Sequence, residues 1–267
     1  MRSSVFAGNG EDDSGRGRDA VGRIFRTSTG RISWRRNLYA IWAAQLLAII
    51  GFNLRAPFLP FFLGDLGVTS SEGQALWSGI INAAGAGVMA ISAPIWGAYA
   101  DRHGRKPMLL RAQFAAFCTI GLMAFATEPW HLLALRMVEG ALTGTVTAAT
   151  ALVAVTTPKE RLGFGLGMIQ TAVFSGSALG PLVGGFLADT AGFRPAFGIA
   201  SGMLFSAGVV TLIFVQERFT APKQQAKPGE KPEPSWHLLL APVLLSLTFA
   251  MLAIRFASAA VQPIMPL

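Results

Sequence analysis

Glu139 has the richest chemistry open to it of any side chain in the sequence. It stands three residues after Arg136 inside a long apolar stretch, and no other acid lies so far inside one. A charge at the centre of hydrocarbon costs roughly 2.5 to 3.5 kcal/mol on insertion scales, so an acid kept there marks function by default. Residues three apart on a helix sit about 60° apart around the axis, close enough for Arg136 and Glu139 to pair. A carboxyl group that approaches and leaves a guanidinium in a dry setting can take up and release a proton, which makes this pair the candidate proton site. A static ion pair is the alternative. Thr143, Thr147 and Thr150 continue from Arg136 at spacings of seven, four and three. On one continuous helix they form a narrow stripe that should line a central cavity.

Other chemistry is sparse. His103, His131 and His237 fall at the ends of apolar stretches, and no His, Cys or carboxylate cluster has metal-ligand spacing. No nucleophile has a base beside it, so an enzyme, a metal and an organic cofactor are not expected. The one cysteine, Cys118, excludes an intrachain disulfide and reads as a buried packing residue. Asn53, Arg55, Asn82, Gln113, Thr143, Gln170 and Phe174, with Trp42, are the polar and aromatic candidates for a substrate wall. Asn53 and Arg55 are two residues apart, about 200° around a helix, so at most one of them lines a cavity. Arg55, Arg136 and Arg255 each lie toward the outer end of an apolar stretch, where a long side chain can snorkel to the interface. Facing inward instead, three cations against one acid would favour anionic or zwitterionic cargo.

The elements that must carry these residues are membrane spans. Apolar residues make up 52% of the 267 and charged residues 13%, with 30 glycines, whereas a soluble domain carries about a quarter charged residues. The apolar residues form blocks at 37–63, 75–100, 108–126, 131–155, 164–188, 196–215 and from 237 to the end. Each of the first six is long enough for a helix to cross hydrocarbon and far too long for a barrel strand. The expected class is an all-α membrane protein: a six-helix bundle over 37–215, then a seventh helix over 237–267 that is cut short. Residues 1–36, basic and rich in Gly and Ser, read as a disordered cytoplasmic tail, not a cleaved signal peptide. Residues 216–236, with their Lys, Pro, Gln and Glu, read as a mobile linker between halves.

A formal charge of +8 would suggest a nucleic-acid partner in a soluble protein, but the placement of the 22 cations says otherwise. Eighteen fall in the tail and in the second, fourth and sixth connections, while the alternate connections hold only Arg194. The positive-inside rule then puts the amino terminus in the cytoplasm, with the lipid bilayer as partner and no nucleic acid. An internal repeat supports the bundle. Gly97, Asp101 and Gly104 after the second block share their spacing with Gly185, Asp189 and Gly192 after the fifth. The two copies would lie on opposite faces, as inverted three-helix units require. Pro57 and Pro60 also echo Pro263 and Pro266, which suggests a second six-helix half and about twelve helices in all.

Several motifs resemble those of the major facilitator superfamily. Gly97, Asp101, Arg102, Gly104, Arg105 and Lys106 are similar to its signature loop, and Arg136 through Gly144 resemble its fourth-helix motif, with Glu139 where a glutamine is usual. Gly167, Gly176, Gly180, Pro181, Gly184 and Gly185 resemble the antiporter signature of drug exporters. Gly51 with Pro57 and Pro60 resembles the first-helix motif of the twelve-helix drug:proton antiporters. The resemblance implies the amino-terminal half of a bacterial inner-membrane multidrug exporter, driven by the proton gradient and working by alternating access on small molecules. It also implies a cytoplasmic gate at the signature loop, a conformational seal at the fifth helix and proton coupling through Arg136. A facilitator or symporter for sugars or organic anions and a non-transporting scaffold or sensor remain as alternatives.

Overall fold

The computed structural model describes residues 33–217, which lie within one compact unit. The readings of 1–32 and 218–267, including the seventh helix, Arg255 and most of the linker, fall outside these residues. The described chain forms eight α-helices: α1 (Trp34–Leu54), α2 (Leu59–Asp65), α3 (Ser71–His103), α4 (Arg105–Met123), α5 (Pro129–Leu142), α6 (Thr145–Thr156), α7 (Leu162–Ala191) and α8 (Phe193–Phe214). They make six spans, because α1 with α2, and α5 with α6, are each one crossing interrupted partway. Five of the six are long and apolar enough to cross a membrane. The remaining one, α4, has 19 residues and carries Arg105, Lys106 and Arg111 in its first two turns.

Both interruptions correct the expectation of continuous helices. Pro57 disfavours helical backbone at the residue before it, so α1 ends at Leu54 and Arg55 caps it ahead of a turn that resumes as α2. In the fourth span α5 stops at Leu142, Thr143 is extended, and Gly144 takes φ +132°, a conformation that side chains with a Cβ rarely adopt.

The expected inverted repeat is present in the backbone. Gly104 follows α3 with φ 95°, ψ 164°, and Gly192 follows α7 with φ 88°, ψ 170°. Each donates its N–H to the carbonyl four residues back, Ala100 and Ala188, and each leads at once into the next span. Packing follows the same pseudo-symmetry: the first span lies against α7 and α8, the fourth against α3 and α4, and α4 against α8. Two apolar clusters fill the interior. One, around Phe58, Phe62, Ile120, Phe197 and Leu204, belongs to the end away from the signature loop. The other, around Leu38, Ile41, Leu109, Leu152 and Val215, belongs to the signature-loop end.

Candidate functional site

Three charged side chains from two spans meet where both helices are interrupted. Glu139, in the last turn of α5, is fully buried. Arg55 donates through Nη1 to its Oε2 at 2.9 Å and through Nη2 to its Oε1 at 3.1 Å, a two-pronged contact across 84 residues of sequence. Arg136, one turn earlier on α5, donates through Nη1 to Oε1 at 2.6 Å. The spacing predicts the Arg136 contact; the Arg55 contact is new. It also corrects the snorkelling alternative for both arginines: Arg55 is 7% exposed, and each guanidinium turns inward to the acid. The flexible stem of Arg136 fits because α3 has Gly85 there; a Cβ at that position would sit 2.8 Å from Arg136 Cγ. Two cations share one anion, so the cluster carries a surplus positive charge in a buried setting.

The break beyond Glu139 is held by α3. Stopping a helix leaves carbonyls without intrahelical partners. Trp96 donates its indole N–H to Ala141 O at 2.6 Å, and the Ser92 hydroxyl lies 3.3 Å from Gly140 O. The Arg111 guanidinium stacks 3.4 Å above the Trp96 ring, tying α4 into the same contact. Because of this break, Arg136, Thr143, Thr147 and Thr150 do not form the continuous stripe that the sequence suggested. Thr143 is buried, Thr147 is exposed and Thr150 bonds its own helix at Val146 O.

At the positions of the repeat that match Ser92 and Trp96, α7 carries Gly180 and Gly184. There the helix makes close contact where α3 reaches out with side chains. A Cβ at Gly176 would meet Ile49 at 2.8 Å, one at Gly180 would meet Asn53 Cβ at 2.6 Å, and one at Gly184 would collide with the Leu54 carbonyl. The glycine face of α7 is therefore fitted to the last two turns of α1, immediately before Arg55. Pro181 lies inside α7, whereas Gly167 and Gly185 face open space. Asn53 serves this interface, with its amide on Ile49 O at 2.9 Å.

At the other end, Asp101 pairs with Arg105 at 3.0 Å while remaining largely exposed. Arg102 is exposed, Gly97 has open space around it, and Lys106 Nζ donates to Leu212 O at 3.0 Å. The group that sequence reasoning missed is Glu217. Its carboxylate accepts the backbone N–H of Arg105 at 2.9 Å and of Lys106 at 2.7 Å, capping the positive end of α4. Asn37 and Gln216 exchange two hydrogen bonds beside it, 2.6 and 2.8 Å long. Residues 216 and 217, assigned to the linker by composition, thus belong to the folded unit.

The candidate substrate wall is only partly assembled. Asn82, Gln170 and Phe174 are exposed on α3 and α7, and Trp42 bonds Thr171 Oγ1 at 3.0 Å. Gln113 is fully buried and its amide has no partner among the described residues, so it faces no open cavity. Cys118, expected to be buried, is exposed. No cluster of His, Cys, Asp or Glu that could hold a metal occurs among the described residues.

A family model described as Major Facilitator Superfamily matches residues 41–267. The chain belongs to that superfamily. Among curated proteins it is 39% identical over 236 residues to Multidrug resistance protein MdtG of Serratia proteamaculans, covering 88% of this chain and 57% of that one. It is 43% identical over 188 residues to the protein of the same name from a Rahnella species, covering 70% and 46%. The chain thus spans about half the length of the curated relatives it matches. Among solved structures it is similar to the human organic anion transporter MFSD10, with a TM-score of 0.62, 23% identity and coverage of 71% of this chain and 49% of that one. It is also similar to a peptide transporter, POT, with a TM-score of 0.56, 20% identity and coverage of 86% and 46%. These likenesses establish the fold, a multi-pass superfamily bundle. The buried triad joins the first and fourth of the described spans of this superfamily fold.

Proposed function

We propose that this chain supplies half of an alternating-access pathway exporting amphipathic drugs in exchange for protons, with Glu139 as the proton site. The observation that carries the proposal is the burial of Glu139 between two arginines at the meeting point of two interrupted spans. Protonation of Glu139 removes the charge that both guanidiniums grip, so the first and fourth spans lose the ion pair that joins them. Deprotonation restores it. A carboxyl that tethers two spans only when ionised couples proton transfer to helix separation, which alternating access requires. The glycine-fitted seam between α1 and α7 acts as the seal, and Asp101, Arg105 and Glu217 as the gate on the cytoplasmic side. The relatives' name, multidrug resistance protein, supports drug export, their bacterial origin supports a bacterial inner-membrane setting, and the placement of the cations supports an amino terminus on the inside. The surplus positive charge of the triad favours anionic or zwitterionic cargo. A second six-helix half completes the pathway, and the proton gradient drives it.

The test is drug accumulation in an efflux-deficient host carrying the full-length parent gene, with and without a protonophore. Lower accumulation that a protonophore and Glu139→Gln both abolish supports proton-coupled export. Unchanged accumulation across a broad compound panel supports a facilitator or a scaffold instead.

A further inference from the structure

A groove of about 780 Å3 runs between α4 and α8 at the end of the bundle opposite the signature loop. Its walls are almost wholly apolar, with Phe117 and Leu122 from α4, Phe125 just beyond its end and Pro195 from α8. Leu122 and Phe125 are 54% and 76% exposed, so the groove opens sideways, not into the core. Gly198 forms part of its lining, and a Cβ there would meet nothing within 4 Å. At its mouth stands Arg194, in the first turn of α8. Its guanidinium is fixed by donating to Ala124 O at 2.7 Å and Ala126 O at 3.1 Å. Neutral carbonyls use two of its five donors and leave its charge uncompensated. Among the described residues no carboxylate pairs with it.

We infer that this groove is a binding site for one anionic phospholipid, with an acyl chain along the α4–α8 trough and the phosphate on Arg194. The charge decides the occupant. An apolar groove alone would take any lipid tail, but a held guanidinium at the membrane-facing end of a helix pair offers a planar fork that matches a phosphate. An anionic headgroup supplies the missing counter-charge, and a zwitterionic one cancels its own. The phosphate then braces the ends of α4 and α8, the two spans that pack on each other across the pseudo-two-fold.

The test uses the full-length protein, purified in mild detergent and titrated with dioleoylphosphatidylglycerol or dioleoylphosphatidylcholine, with bound lipid counted by native mass spectrometry. The native protein is expected to prefer phosphatidylglycerol by about fivefold, the size of one cation acting at an anionic membrane surface. Arg194→Gln, which can still donate to a carbonyl, is expected to bring the two lipids to parity. Gly198→Phe fills the trough and is expected to remove both adducts with the unfolding temperature unchanged. Parity in the native protein overturns the inference, as does a preference that survives both variants. Displacement of the lipid by an exported drug or by dimer formation also overturns it.

Discussion

Glu139 is the member of its cluster whose loss strands the others, because both arginines lean on that one acid. Breaking a buried ion pair from one side costs about 3 to 5 kcal/mol, because the remaining charge stays buried without a partner. Glu139→Gln strands two guanidiniums and should lower the unfolding temperature of the purified protein. Adding Arg55→Met to that variant removes one stranded charge and should recover part of the loss, as a thermal-melt comparison of the two variants would show. A double variant less stable than the single one would mean that Arg55 is held by something other than the acid. The i,i+3 contact of Arg136 with Glu139 was legible in the sequence because helical geometry fixes it. The Arg55 contact was not, because nothing local links residues 84 apart. The one hint was a count, three cations inside apolar blocks against a single acid.

At the level of the elements, the same repeat produces two kinds of helix contact. On α7 the glycine face lets α1 close to backbone distance, so a side chain there has nowhere to go. Gly180→Val should destabilise by at least the 1 to 3 kcal/mol typical of overpacking, while Gly167→Ala and Gly185→Ala, pointing into open space, should leave the melting temperature nearly unchanged. Comparable losses at all three would refute the seam. On α3, Trp96 in the position of Gly184 reaches the broken end of α5 through its indole N–H. Trp96→Phe keeps an aromatic face under Arg111 but leaves the Ala141 carbonyl without that donor, a loss of about 1 to 3 kcal/mol readable by chemical or thermal unfolding. The six spans were legible because hydrocarbon thickness sets their length. The breaks at Pro57 and Gly144 were less so, because a proline or glycine in a membrane helix is also compatible with a kinked but continuous span.

Taken whole, the described unit is two interleaved three-span repeats related by a pseudo-two-fold, each turned at a glycine of positive φ. Gly104→Ala forces a Cβ onto a backbone at φ 95°, ψ 164°, a region almost exclusive to glycine, and should cost about 1 to 3 kcal/mol, with Gly192→Ala losing a similar amount. Unequal effects would show that the two turns are not structurally equivalent. The repeat spacing of Gly, Asp and Gly makes this symmetry readable in the sequence. Glu217 escaped that reading because composition assigned its neighbourhood to a polar linker, and its role depends on where α8 delivers the chain relative to α4.

A proton site in an exchanger must give up its proton when cargo binds, and Glu139 is the carboxyl assigned to do so. The most direct measurement is proton release into weakly buffered solution when an exported drug is added to the purified full-length protein, read with a pH-sensitive dye. The native protein should release protons in proportion to bound drug, and Glu139→Gln should release none while still binding. Undiminished proton release from Glu139→Gln would contradict the assignment of Glu139 as the proton site.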